Sequence, residues 1–217
     1  MPASFETWLA AAFDHPVGEP EWYWGEQFDD EWEALSLTDH VTVAYLQILF
    51  RDPGVLAVYS LDQVAQGIWF LIGDSSPAQP SYALVRSEVA LADRLACVRS
   101  ITEFFRRFVA PSAPGPADQN GNSFHTACYM WWDIFPTRGG PHGPEAELQE
   151  ACLQVMRDCL TIQSELCQLS ALHGLNHWHA AFPQQVEEAV DGFLAREQAL
   201  SPSIRTYAAA ARQGCCQ

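Results

Sequence analysis

The sequence predicts an all-α protein built as an array of antiparallel helical hairpins. Apolar residues recur every three or four positions along most of the chain. Between these stretches stand proline, glycine and helix-capping residues, which indicate helices of roughly 12 to 20 residues. No segment shows the alternating pattern of a strand, and the apolar run 55–59 is short and lies between helix signals. Short helices joined by turns along the whole chain are typical of a helical-hairpin array.

The first half of the chain contains several helix-start signals. An apolar pattern predicts a short amphipathic helix over 3–13. Thr38 is a suitable N-cap for the next helix, and Ser60 with Gln63 has the form of a capping box. The stretch 82–110 contains no glycine or proline, so we predict one long helix there or two with a break that the sequence does not reveal.

The segment 111–122 is the clearest interruption of the chain, with three prolines and two glycines. We interpret it as a loop that separates two helical halves, 1–110 and 123–217. The two halves are of similar length and show no sequence repeat. We therefore expect a single all-α domain over 1–217 with this loop between its halves.

Helix-start signals continue in the second half. Ser123 and Ser201 are predicted as N-caps, and Pro183 and Pro202 suit the first turns of two later helices. The chain after Pro144 has no breaker for roughly 30 residues, which is long for one helix of a compact domain. We therefore predict a turn over 161–164 that divides 144–179 into two helices, the second capped by Ser164.

The composition limits the classes of partner. The net charge is −16 with a pI near 4.6, and all eleven basic residues are arginine. Such a chain does not bind nucleic acid through a basic face, and it is repelled by an anionic membrane surface. A basic protein partner would be attracted at low salt. The alternative is that the acidity serves only solubility.

Several features favour the cytoplasm. The N-terminus lacks the positive and apolar regions of a secretory signal, and no stretch approaches the ~20 apolar residues that span a bilayer. Most of the cysteines occupy apolar positions within helical patterns, and none forms a C-x-x-C pair. We interpret them as reduced core residues.

The acidic segment (14–33) is the first candidate binding site. It has eight carboxylates, no basic residue and five interleaved aromatic residues. Carboxylates beside tryptophan anchors suit a contact surface for a basic protein. The residues that we expect to contact such a partner are Glu19, Glu21, Trp22, Trp24, Asp29, Asp30 and Glu31. Alternatively, the segment is a solvated face whose aromatic residues are buried in the protein's own core and whose charge is neutralised by Arg94, Arg99, Arg106 and Arg107.

A possible metal pair lies in the densely patterned stretch 164–179. His173 and His177 are four residues apart and project from one face of a helix, as metal ligands do. A zinc protease would need a glutamate directly after the first histidine, and Gly174 occupies that position. A third ligand would have to come from another residue, such as Glu165, Cys167 or His125. Alternatively, the histidines are buried or capping residues beside Trp178.

Other chemistry finds less support. There is no G-x-S-x-G motif and no glycine-rich phosphate loop after a strand. We interpret Asp133, after two tryptophans, as a carboxylate on a helix face, and the loop 137–143 as a turn in preference to an anion site.

Three short stretches carry a resemblance: A-L-H-G-L-N-H-W-H at 171–179, D-G-F-L-A-R at 191–196 and S-I-R-T-Y-A-A-A-A-R-Q-G at 203–214. Over 164–214 the chain resembles uncharacterised bacterial proteins whose C-terminal part looks like HEAT-type helical repeats. This resemblance implies a HEAT-like right-handed α-α superhelix, a scaffold that mostly binds proteins, and contributes no catalytic motif.

The leading hypothesis is a cytoplasmic, non-enzymatic interaction module without a cofactor, which engages a basic protein through its acidic segment. An immunity protein that neutralises a toxin is one version of it. The alternative is a metal-binding domain or metal-dependent hydrolase that uses His173 and His177. A third hypothesis is a structural module within a larger assembly.

Overall fold

The all-α prediction is confirmed. A computed structural model describes residues 1–73, 76–117, 122–137, 139–196 and 200–215, and within these ranges it contains helices and no strand. The α-helices of this part of the chain are α1 (Phe5–Phe13), α2 (Phe28–Ala34), α3 (Asp39–Arg51), α4 (Leu61–Ile72), α5 (Leu91–Phe104), α6 (Ala110–Ser112), α7 (Ser123–Tyr129), α8 (Trp131–Ile134), α9 (Ala146–Cys159), α10 (Glu165–Trp178), α11 (Pro183–Arg196) and α12 (Pro202–Ala211). The 3-10 helices are Trp22–Trp24, Pro53–Val58 and Pro80–Val85, and Phe105–Val109 is π-helical.

Most of the predicted helix starts are confirmed. Side chains accept a hydrogen bond from the first turn of their helices at four predicted N-caps, Thr38, Ser60, Ser164 and Ser201. The capping box of Ser60 and Gln63 is complete in both directions. The N-cap predicted at Ser123 is wrong by one residue, because the Asn122 side chain accepts from the His125 backbone N–H at 3.1 Å. Ser123 instead donates its hydroxyl hydrogen bond to Asp62.

For 82–110 the alternative of one long helix is wrong, and the alternative of two helices with a break is closer, because a non-helical stretch separates Pro80–Val85 from α5. Pro80 begins a 3-10 helix, and Ser81, which is fully buried, donates to the Ile72 carbonyl at 3.0 Å. The chain is extended at Ala90 before α5 begins. At the other end α5 continues through the π-helical segment into α6, so the helix enters the segment that we predicted as a loop over 111–122. Pro111 lies in the last turn of this continuous helix, which ends at Ser112.

α10 is the central helix. Every residue from Leu166 to Asn176 is buried, and so is Trp178. A helix that is buried on all sides must be surrounded by others. α10 contacts α7, α8, α9, α11 and α12. The predicted turn over 161–164 is confirmed, because it separates α9 from α10.

Helices from the two halves of the chain share one hydrophobic core. α3 packs against α5, α5 against α9, and α4 against α7. In a solenoid each hairpin contacts only its neighbours, whereas α10 contacts five helices. The all-helical class is established, whereas the HEAT-like order of the helices stays a prediction.

The cysteines of the described residues are free, and all except Cys215 are buried: Cys97, Cys128, Cys152, Cys159 and Cys167. Burial raises the pKa of the Cys152 thiol to about 12 and that of Cys167 to about 11. They pack as small core residues. Cys216 lies outside the described residues. In the same part of the chain, no helix combines the length and the apolar character that crossing a bilayer requires.

Candidate metal site and acidic surface

The two histidines predicted as a metal pair meet at the C-terminal end of α10. His173 is 8% exposed, whereas the His177 side chain is 43% exposed. Their Nε2 atoms are 3.2 Å apart, and the ring planes are nearly perpendicular. The four-residue spacing therefore brings the two imidazoles together as predicted. His179, two positions further, faces Glu187 on α11 instead.

The third member of this group is Asp133, which sequence reasoning interpreted only as a carboxylate on a helix face. Its Oδ1 lies 3.6 Å from His177 Nε2, and one ligand atom from each of Asp133, His173 and His177 lies within 4.8 Å of the other two. We call these three residues the His–Asp group. Asp133 comes from α8 and lies 40 positions before His173, so no sequence spacing connects them.

The predicted third ligands lie outside the His–Asp group. The Glu165 carboxylate accepts a hydrogen bond from the Ala117 backbone N–H at 3.2 Å. The Cys167 thiol is buried and donates to the Phe105 carbonyl at 3.7 Å. His125 lies at the start of α7 and is not part of the group.

Gly174 lets α8 approach α10 closely enough to place Asp133. A Cβ atom at position 174 would lie 2.6 Å from Cγ of Trp132 and 2.7 Å from Sδ of Met156. Trp132 lies directly before Asp133 and is 2% exposed, so its packing on Gly174 holds the carboxylate beside His177.

Two tyrosines orient the buried histidine. Nδ1 of His173 is 2.9 Å from the Tyr207 hydroxyl, which is 2.7 Å from the Tyr129 hydroxyl. The Tyr129 ring also lies against the His173 ring, with centroids 4.2 Å apart. A metal-bound imidazole usually hydrogen bonds through its other nitrogen, which sets its tautomer and orientation. Tyr207 supplies that contact.

His173 is neutral at physiological pH. Its pKa is lowered to about 4, mainly by burial and next by the nearby His177, while Asp133 acts in the opposite direction. A neutral imidazole carries one lone pair. In the tautomer whose Nδ1–H donates to Tyr207, that lone pair is on Nε2 and points toward the rest of the His–Asp group.

Two of the three separations in the group suit a tetrahedral metal ion. Ligands about 2.0–2.1 Å from a tetrahedral zinc ion lie roughly 3.3 Å apart. The separations of 3.2 Å between the two Nε2 atoms and 3.6 Å between His177 Nε2 and Asp133 Oδ1 are close to that value. Two histidines and one carboxylate are a ligand set for zinc and for non-haem iron.

Most aromatic residues of the acidic segment are packed internally. Four of them surround Phe70 of α4, with ring centroids 4.7 to 5.5 Å from its own: Trp22, Tyr23, Phe28 and Trp32. Tyr23 and Phe28 are buried, and Trp22 and Trp32 are half-buried. Of the aromatic residues predicted as partner anchors, Trp22 is therefore partly committed to the core, and Trp24 is 52% exposed.

The carboxylates of the acidic segment remain available to a partner. Those predicted to contact it are exposed, except Glu21, which is half-buried. Three of the four arginines proposed to neutralise the segment pair elsewhere, Arg94 with Glu145, Arg106 with Glu103 and Arg107 with Asp52. Among the described residues, no arginine forms an ion pair with a carboxylate of 14–33.

Comparison of the chain with known protein families, with curated proteins and with solved structures found no match. Function is therefore inferred from the His–Asp group and the acidic segment.

Proposed function

We propose that the protein binds a divalent transition metal ion, zinc being the best-suited candidate, through Asp133, His173 and His177. The observation that carries this proposal is the convergence of one oxygen and two nitrogen ligand atoms within 4.8 Å of one another. The ligands come from two helices that pack closely at Gly174, so folding brings them together without the metal.

The surroundings of His173 support the same proposal. An ordinary buried histidine needs hydrogen-bond partners for its two nitrogens, and one is met by Tyr207. The other nitrogen faces a second imidazole and a carboxylate, an arrangement in which lone pairs oppose one another unless a proton or a cation lies between them. A metal ion bound by all three removes that repulsion.

Zinc titration of the metal-free protein tests this proposal. We expect one equivalent to bind and to raise the unfolding temperature, since a ligand at 100 times its Kd contributes about 2.7 kcal/mol. The double variant His173→Ala, His177→Ala should lose both effects. The matched control is His40→Ala with His142→Ala, which removes two exposed histidines elsewhere and should change neither. Equal zinc binding by the two double variants would overturn the proposal.

The acidic segment supports a second proposed function, the binding of a basic protein. The specific observation is that its exposed carboxylates have no arginine partner in the described part of the chain, while Trp24 is exposed beside them. The surface would attract the partner by charge, and Trp24 would supply the apolar contact. The contact residues that we propose are those predicted from the sequence. The buried Tyr23, whose ring centroid is 5.6 Å from that of Trp24, supports Trp24 from the core.

Charge reversal tests this second function. A basic protein that co-purifies with the chain at low salt should be lost when Glu21, Asp29, Asp30 and Glu31 are changed to arginine, and should bind more weakly to Trp24→Ala. The control reverses four exposed carboxylates elsewhere, Glu88, Asp93, Glu147 and Glu188, with the same change of net charge. Equal loss in both sets would show that only the total charge matters.

The order of the helices, the location of the protein and the kind of partner are also proposals. We propose a HEAT-like superhelical order of the helices, a cytoplasmic location and, for the second function, an immunity protein as one version. The buried free cysteines favour a reducing compartment. In a HEAT-like order α10 would be the inner helix, against which α7, α8, α9, α11 and α12 pack.

A further inference from the structure

A cleft of about 360 Å³ lies beside the His–Asp group. Asp133 and His177, the exposed members of the group, line it, together with Trp132, Thr137, Gly139 and Trp178. The buried member, His173, does not. A metal ion held by these three residues is therefore covered by protein on the side of His173, and the cleft adjoins its other two ligands.

The charge of such a centre selects its additional ligand. A divalent ion with two neutral imidazoles and one carboxylate carries a net charge of +1. Three protein ligands also leave at least one position of a tetrahedral ion open, as in catalytic zinc sites. An open position on a positive centre prefers an anionic oxygen ligand, such as a carboxylate or hydroxide, over a neutral one.

We infer that the metal keeps an open coordination position toward this cleft and binds there a small molecule through a carboxylate group. This inference rests on the proposed metal binding and adds the class of ligand. The cleft volume is at the small end of the range for small-molecule sites, which excludes an extended polymer from its interior.

The walls of the cleft fit such a ligand. The side chains of Trp132 and Trp178 give it apolar surface. The overall charge of −16 repels anions at a distance, so carboxylate binding should strengthen as salt is added.

Cobalt substitution tests the inference. Co²⁺ is added in place of zinc, its visible absorption is recorded, and acetate, acetohydroxamate or the neutral N-methylacetamide is then titrated. We expect saturable changes of the spectrum with the two anions and none with the neutral amide. The variant with His173→Ala and His177→Ala should show neither the cobalt spectrum nor the anion response, whereas the control with His40→Ala and His142→Ala should show both.

The possible outcomes separate the two proposals. If wild-type protein does not take up Co²⁺, or if the variant lacking both histidines takes it up equally, the metal proposal fails before any anion is added. If Co²⁺ binds at the group but its spectrum does not respond to either anion, the position is closed and the further inference is overturned. An equal spectral response to the neutral amide would overturn the inferred preference of the metal for anionic ligands.

Discussion

Arg94 is the most deeply buried charge of the described residues. It is 2% exposed, and its guanidinium donates to the Val89 carbonyl at 3.0 Å and to the two oxygens of Glu145 at 3.0 and 2.6 Å. Sequence reasoning assigned this arginine to the acidic segment. The structure instead uses it to join α5 to Glu145, the N-cap residue of α9. A buried guanidinium requires such a partner, because an unpaired buried charge is costly.

Glu145→Gln is therefore expected to destabilise the protein. Breaking a buried ion pair costs about 3–5 kcal/mol, and we expect about 1–3 kcal/mol here because the Glu145 side chain is 40% exposed. Urea unfolding at neutral pH measures the loss. The control is Asp39→Asn, whose partner Arg86 is 55% exposed, with an expected cost below about 1 kcal/mol. Equal costs would contradict the structural role of Arg94.

The same pair predicts a pH dependence. The pKa of Glu145 is held below its usual range, mainly by hydrogen bonds from Arg94 and to a smaller extent by a backbone hydrogen bond. A lowered folded-state pKa contributes stability above the ordinary carboxyl pKa of about 4.3, and this contribution is lost as the pH falls through the lower folded value. The difference in unfolding free energy between wild type and Glu145→Gln should thus be constant from neutral pH to about 5 and shrink in stronger acid.

At the scale of elements, the packing of α8 on α10 determines the metal site. Gly174 leaves no room for a side chain between Trp132 and Met156. Glycine within a helix is normally unfavourable by ~1 kcal/mol relative to alanine, so its presence here reflects the close contact. This contact holds Asp133 beside the two histidines of α10.

Gly174→Ala should lower the unfolding free energy by about 1–3 kcal/mol, because a Cβ atom would force Trp132 and Met156 to move. It should also weaken zinc binding by displacing Asp133. The matched control is Gly192→Ala in α11, where nothing lies within 4 Å of an added Cβ, and there we expect a gain of up to ~1 kcal/mol. Chemical unfolding and zinc titration of both variants check this. If both substitutions were stabilising, the close approach would be refuted.

Elements whose signals are local were predicted well. Thr38, Ser60 and Ser164 cap their helices because a side-chain oxygen needs only the backbone N–H groups of the next turn. The segment 82–90 was predicted wrongly because its apolar residues suit burial in a helix or outside one. What decides between them is contact with α3 and α4, which pack on Pro80–Val85.

At the scale of the whole molecule, the net charge of −16 opposes compaction. The exposed carboxylates of the acidic segment lie close together in the chain, with no arginine paired to them in the described ranges. Their mutual repulsion is present in the folded state and is screened by salt.

Raising the ionic strength from about 0.01 M to 0.15 M shortens the screening length from about 30 to 8 Å, so stability should rise, by on the order of 1 kcal/mol. Urea unfolding across a series of sodium chloride concentrations measures the change. The variant Glu26→Gln, Asp29→Asn, Asp30→Asn, Glu31→Gln should show a flatter dependence on salt. A wild type that lost stability as salt was added would show that attractive ion pairs outweigh the repulsion.

The sequence by itself determined the helical class, most helix starts, the turn before α10 and the pairing of His173 with His177. These depend on contacts within a few residues, where the helix period relates position to direction. Only the tertiary structure decided that Asp133 lies beside those histidines and that Arg94 pairs with Glu145. The same holds for the packing of aromatic residues of the acidic segment on Phe70. These partners lie tens of residues apart, and no periodicity relates them. The packing of whole helices, set by details such as the missing side chain at Gly174, brings them together.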